Sequence, residues 1–410
     1  MKSSALVSLT VLATALFAGA CAPGADNSSS GESGGSNPGS GGGQATGGSS
    51  STQNTSTAAQ FMDGASTGSS GTCSSGPNDD QDMDGFTVAE GDCNDCDPNV
   101  NPGAIEVMTP ADGAGGAPAT PADEDCDGTI DNVAMPCDSG IAIDSANPID
   151  AARAIELCHQ PTGPKDWGVV SSNWVRANGT VLGGVTAQMG LLPKFGSNVN
   201  PRAGSTMLGV SSGHARDASQ PGACGQLSCY GYGAGTAPAG FPQDVPNCSG
   251  DTDINDDVGL EVQVRTPKNA TGFSFDFRFY SFEYPEWVCT SFNDQFIALV
   301  QPPPAGSING NVSFDSMNNP VSVNVGYFDV CSGCSAGTAD LAGTGFDTWD
   351  DAGGTVWLRS TSPVTGGDTV TIRFAIWDTG DQAWDSTALV DNFQWIANGG
   401  TVVVGTKPPQ

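Results

Sequence analysis

Positive charge is what this chain lacks. Thirteen lysines and arginines face 45 acidic residues, a net charge of −32, and neither cationic residue occurs between Lys2 and Arg153. A surface this acidic repels phosphate backbones and anionic lipid faces, so nucleic acid is excluded as a partner. Histidine is almost missing too: His159 and His214 are the only two. A histidine-built zinc or copper centre is therefore out of reach. After residue 20 no run is apolar enough to read as a membrane span.

What the first residues do contain is an export signal. Lys2 supplies the positive end and residues 5–18 an apolar stretch too short to cross a bilayer. The small residues Ala18, Gly19 and Ala20 stand directly before Cys21. This ending resembles a lipobox, with Ala18 where leucine is usual, and the resemblance implies that Cys21 carries lipid. Ala22, rather than an aspartate, implies passage to the outer membrane. The expected localisation is an outer-membrane lipoprotein exposed at the surface, with the membrane as partner through the anchor. Of 13 cysteines, 12 remain for disulfides once Cys21 is set aside.

Composition divides the rest. Residues 1–20 are the signal. Residues 21–72 are almost wholly Ser, Gly, Thr, Asn and Ala, a disordered linker whose ~50 residues reach about 40 Å. Residues 73–135 form an Asp- and Cys-rich segment, 136–400 a large domain and 401–410 a tail.

In the acidic segment, Asp80-Gln-Asp82-Met-Asp84-Gly85-Phe86 alternates carboxylates before a glycine, as EF-hand-type calcium loops begin. Gly91 stands where the closing acid belongs, but Asp92, Asp95 and Asp97 follow. A second run, Asp123-Glu-Asp125-Cys-Asp127-Gly128-Thr-Ile-Asp131, keeps the ligand spacing better. Carboxylates crowded on tight turns repel, and no lysine or arginine in the segment offsets them. A hard divalent cation would, so calcium is the expected cofactor, bound by these ten aspartates. Zinc on Cys93-Asn-Asp-Cys96 is the rival, weakened by irregular spacing to Cys126 and Cys137. From Asp82 through Pro102-Gly-Ala-Ile-Glu106 to Asp125-Cys-Asp-Gly128 and Asp131, the segment resembles the MopE-type metal-binding repeat of bacterial surface lipoproteins. It departs at Met108, where a cysteine is expected, and through the Thr109–Ala122 insertion. With Met83 and Met108 as the only soft ligands, copper does not fit.

The large domain opens with a short helix, Asn147 as N-cap and Pro148 at its first position, running toward Leu157. Beyond it the pattern is period two: Phe273, Phe275, Phe277 and Phe279 alternate with polar residues, as do Val370, Ile372, Phe374 and Ile376. Leu260–Val264, Phe296–Val300, Val321–Val325, Thr355–Leu358 and Leu389–Trp395 supply further strands. The expected class is all-β: an antiparallel, jelly-roll-like β-sandwich with one short helix, after the small calcium-binding loop module and the linker. Cys137 with Cys158, and Cys331 with Cys334, are the expected disulfides; Cys224/Cys229 and Cys248/Cys289 are further pairings.

Three stretches, Met207–Gly213, Phe273–Val300 and Phe374–Asp391, resemble the choice-of-anchor L domain, which implies an extracellular sandwich of anchored or secreted surface proteins. Read for chemistry, Asp378, Asp381 and Asp385 follow a buried strand in a Gly-containing turn, while Glu283 ends one strand and Asp294 begins another. These five acids are expected to form a structural calcium site at one end of the sandwich, against the plainer reading of independent turn formers. Tyr280, Tyr284, Trp287, Trp349, Trp377 and Trp384 are candidates for stacking on a glycan or surface protein ligand, or for core and rim.

Catalysis is not expected. Gly209-Val-Ser211-Ser-Gly213 matches the nucleophile-elbow spacing, but loop-like sequence follows it and only His159 and His214 could act as base. The function expected is adhesion or surface recognition; the alternative is a structural or metal-sequestering envelope protein.

Overall fold

The computed structural model describes residues 75–108, 121–132, 134–229, 231–397 and 400–409. The signal, Cys21, the linker to residue 72 and most of the Thr109–Ala122 insertion lie outside the described residues.

The chain is all-β. Its strands are β1 (Gly168–Val175), β2 (Met189–Leu192), β3 (Met207–Ser211), β4 (Ile254–Arg265), β5 (Ala270–Ser281), β6 (Gln295–Gln301) and β7 (Val321–Ser322). They continue with β8 (Phe328–Cys331), β9 (Gly353–Thr355), β10 (Leu358–Pro363), β11 (Thr369–Thr379), β12 (Ser386–Ala397) and β13 (Gly405–Lys407). One sheet runs β1-β4-β11-β6-β7; the other runs β13-β10-β5-β12-β3-β2, with β9 and β8 attached beside β5. Pairing is antiparallel throughout the described residues.

Alternation explains the sandwich. Phe273, Phe275, Phe277 and Phe279 of β5 share one core with Val258, Leu260, Val262 and Val264 of β4 and with Ile372, Phe374 and Ile376 of β11. Phe275 meets Phe374 edge to face at 5.0 Å across the sheets. Each fully buried side chain of this kind contributes about 1.5–3 kcal/mol over its exposed state.

The polar side of β5 is buried as well. Asp276 has no exposure and holds Arg359 through two hydrogen bonds, at 2.6 and 3.0 Å, besides Arg202 and Asn392. Arg278 donates to the Thr355 carbonyl and to Asp340. Behind them, Phe195, Tyr280, Phe282, Leu341 and Phe346 form a second, smaller core. A sheet with helix-free sequence around it has here been covered by its own loops.

The helix α1 (Pro148–Arg153) is capped as expected, the Asn147 side chain accepting from Ile149 N. It stops earlier than the pattern predicts, because Glu156 takes a left-handed conformation and reaches Asn392 on β12. The strands expected at Val321–Val325 and Thr355–Leu358 are cut shorter, to β7 and to the β9 and β10 pair separated by a bend.

The described residues fall within one compact unit. Within it the acidic module rests against the sandwich: Lys268 N donates to Gly103 O at 2.8 Å, and Asn269 exchanges two bonds with Ile105. Lys165 reaches Gly85 O at 2.6 Å and Glu90 at 2.5 Å, over the ring of Phe86. Disulfides join Cys93–Cys126, Cys137–Cys158, Cys224–Cys229, Cys248–Cys289 and Cys331–Cys334. Cys93 is thus tied to the second acidic loop, which removes its thiolate from any zinc site.

Candidate cation sites

In the first acidic loop each aspartate spends one oxygen on the backbone. Asp82 accepts from Asp84 N at 3.2 Å, Asp84 from Phe86 N at 2.7 Å, and Asp92 from Asn94 N at 2.8 Å. Gly85, at φ 98°, makes the turn that these bonds require. The other oxygen of each, Oδ2, is buried and lacks a well-formed hydrogen bond, although the Asn101 side chain lies beside Asp84. One oxygen from each of Asp82, Asp84 and Asp92 lies within 4.8 Å of the other two. A second trio, Asp80, Asp82 and Asp95, shares Asp82 with the first. Asp80 caps Met83 N and Gly85 N, and Asp95 accepts from Gln81 N.

Burial, and then the neighbouring carboxylates, push Asp84 up to about 6; Asp82 and Asp92 are raised for the same reasons. Asp97 joins neither trio and instead holds the Asn99 backbone and amide.

The second loop has the same architecture. Asp123 accepts from Asp127 N and Gly128 N, and Asp127 from Thr129 N and the Asn132 amide. Its trio is Glu106, Asp123 and Asp125. Burial pushes Asp125 up to about 6. Glu106 is a residue the sequence reading missed: it accepts from Asp125 N at 3.2 Å and Asp131 N at 2.6 Å, bonds that span 19 and 25 residues. Asp127 and Asp131 lie in the loop but outside the trio.

The structure also brings the acids of the large domain to one end of the sandwich. Asp378 ends β11 beside a bulge, Asp294 precedes β6, Asp385 precedes β12 and Glu283 follows β5. Asp294 ties the two sheets: it accepts from Thr379 N at 3.0 Å and from the Ser386 hydroxyl at 2.7 Å. Asp385 accepts from Cys229 N at 2.8 Å, and Glu283 from Asp294 N at 3.3 Å. Asp256, on β4, joins them unforeseen and accepts from Gly233 N. Asp381 stays half-exposed and caps Ala383 N. These oxygens are not drawn together within 4.8 Å as the loop trios are. Burial and mutual repulsion raise Glu283, Asp294 and Asp378 well above the carboxylate range, and push Asp385 up to about 9.

Ser211 is buried, and its hydroxyl bonds Ser386 O, Gly213 N and the Thr387 hydroxyl. His214 bonds Gly222 O and His159 bonds Asp166. The Gly-x-Ser-x-Gly spacing has a packing reason: a Cβ on Gly213 would sit 1.8 Å from Asp385 Oδ2.

Of the aromatic candidates, Tyr280 and Trp377 are buried, Tyr284, Trp287 and Trp384 are half-buried and Trp349 is exposed. Trp384 meets Trp287 at 5.5 Å and Trp349 at 6.0 Å, both edge to face.

Residues 211–392 match the model of the choice-of-anchor L domain family. The match includes all the clustered acids of the sandwich and stops short of the acidic module. A domain of this description suggests a cell-surface protein. No curated protein matches the chain. Among the described residues, no helix is long and apolar enough to cross a membrane.

Proposed function

We propose that the protein is a lipid-anchored surface lipoprotein whose acidic module is closed by calcium and whose sandwich head serves adhesion or surface recognition rather than catalysis. One observation supports it above the rest. Asp82, Asp84 and Asp92 each satisfy the backbone with one oxygen and leave the other buried, without a well-formed hydrogen bond, beside its neighbours. Three buried carboxylate oxygens with no lysine or arginine among them are what a hard divalent cation with oxygen ligands neutralises. The MopE-type resemblance of the same loops agrees with this reading. Cys21, preceded by small residues, supplies the anchor, and the Ser/Gly-rich linker the distance from the membrane. The partly exposed Trp287, Trp349 and Trp384 favour recognition over a purely structural envelope role, since exposed indoles are common contact residues at interfaces.

Protease shaving of intact cells, with and without chelator, tests the reading. The wild type should be released from the surface, faster in chelator, and Cys21→Ser should leave the cell-surface fraction altogether. Protection of the wild type from external protease in both conditions would refute surface exposure.

A further inference from the structure

We propose that Asp256, Asp294, Asp378 and Asp385 form an interior cation site that closes one end of the sandwich, taking an oxygen-seeking divalent ion of calcium's class, with Glu283 holding Asp294 in place. The site is separate from the acidic module: Asp256 and Asp378 lie on β4 and β11, Asp294 directly precedes β6 of that same sheet, and Asp385 directly precedes β12 of the other.

The physical problem is plain. Asp294 and Asp378 have no exposure, Asp256 has 1% and Asp385 4%. Among the described residues none of the four pairs with a lysine or arginine at ion-pair distance. An isolated carboxylate taken out of water costs several kcal/mol even after relaxation, in order of magnitude. Four together are not tolerable as anions without a counter-charge.

Two remedies exist: a proton, which Asp294 and Asp378 lie close enough to share, and a metal ion, which the oxygens left unpaired on the other acids favour. A protonated carboxyl gains a donor but still needs its oxygens satisfied. Both oxygens of Asp378 lack a well-formed hydrogen bond, although Ser212 and Asp294 lie beside it. Asp385 Oδ1 and Asp256 Oδ2 lack one as well. Each of those two residues has its other oxygen anchored by a backbone N–H, from Cys229 and Gly233. Asp294 is aligned by Thr379 N and Ser386 Oγ. The carboxyls are therefore oriented by donors on one side and left open on the other. This is how ligand oxygens are presented to a hard cation, which satisfies several lone pairs at once. The ion would draw the four inward and tie β4, β11 and β6 of one sheet to β12 of the other. Gly213 has room for no side chain there, since a Cβ would run into the Oδ2 of Asp385.

Trp377 and Trp384 are the chain neighbours of Asp378 and Asp385, so the site carries its own reporter. Terbium(III), a calcium-sized luminescent ion, should be titrated into the chelator-treated full-length protein and excited through tryptophan. Sensitised emission is expected, displaced by excess calcium, unchanged in the module variant Asp82→Asn/Asp92→Asn, and weakened at least tenfold in Asp378→Asn and in Asp256→Asn. Each single variant removes one buried negative charge, so the ion-free fold should persist, checked by near-ultraviolet circular dichroism. Absence of sensitised emission from the wild type would overturn the site. So would emission that survives both head variants, or that disappears only with the module variant; the first result would leave a proton-sharing cluster, the last only the loop sites.

Discussion

Replacing Asp92 by asparagine should change the module's stability in opposite directions with and without calcium. Asp92 stands with Asp82 and Asp84, one oxygen from each within 4.8 Å of the others. At an effective dielectric of about 20, each ionised pair at that distance costs about 3.5 kcal/mol, so the two pairs involving Asp92 cost about 7 kcal/mol. Water on the outer side of the loop screens much of this, and a third of it, about 2 kcal/mol, is a sober figure for the relief on removing the charge. With calcium bound the sign reverses, because the same substitution removes a ligand. An ion at one hundred times its dissociation constant contributes about 2.7 kcal/mol, most of which the variant should forfeit. Hydrogen exchange at the amides of Met83, Phe86 and Asn94, each bonded to an aspartate oxygen, reads the local opening directly. In chelator, Asp92→Asn should exchange roughly 30-fold more slowly than wild type, the equivalent of about 2 kcal/mol. In millimolar calcium it should exchange faster. Slower exchange of the variant in both conditions would refute the reasoning, since simple charge relief would then explain everything.

Two further outcomes follow from the large domain. Glu156 and Asp391 both accept from Asn392 N inside the fold; burial and the Asp391 carboxylate raise Glu156 well above its usual range. The folded state then holds a proton that the unfolded chain releases, so stability is greatest below the ordinary carboxyl pKa and falls as pH rises through the raised one, by at most about 1.4 kcal/mol per unit. Glu156→Gln should flatten that decline in denaturant melts taken across the pH range; curves that stay parallel to wild type would contradict it. Phe275, fully buried between Phe273, Phe277 and Phe374, should cost about 3–5 kcal/mol as alanine, measured by chemical denaturation. A loss below about 1 kcal/mol would mean that the two sheets do not pack through this ring.

The legible parts of the molecule were those whose logic is local. Phe273 to Phe279 announce a strand because alternation needs only seven residues, and Asp80 to Phe86 announce a ligand loop because each aspartate caps an amide two to five positions on. The rest depended on distant segments. Glu106 enters the second loop through bonds to residues 19 and 25 positions away; the Pro102-Gly-Ala-Ile-Glu106 stretch marks it as part of the repeat but not as a ligand of that loop. Asp256 sits between Asn255 and Asp257 at the polar start of β4, and nothing there singles it out until the strand is paired with β11. The polar face of β5 looked solvent-bound, yet Asp276 is neutralised by Arg359, 83 residues later. Period-two patterning says which residues share a face; it does not say whether that face meets water or a folded loop.

Charge of one sign sets the terms for both acid clusters, but the chain answers differently in each. In the module the Cys93–Cys126 bond closes a span of 33 residues, which in the chain-entropy account removes about 4 kcal/mol of unfolded-state freedom. That cross-link holds the two loops near one another and does nothing for the repulsion inside either. The lysines that touch the module, Lys165 and Lys268, act at its edge, on Gly85, Glu90 and Gly103 rather than on the trios. Covalent closure therefore leaves untouched the repulsion that the proposed cation would relieve. In the sandwich the order is reversed: hydrophobic burial of two sheets already fixes the strand ends, and the acids gathered there are a cost that the core has to carry. Unpaired carboxyls in so dry a place, with a glycine packed against one of them, are destabilising as they stand, and that is the cost the proposed interior cation would offset.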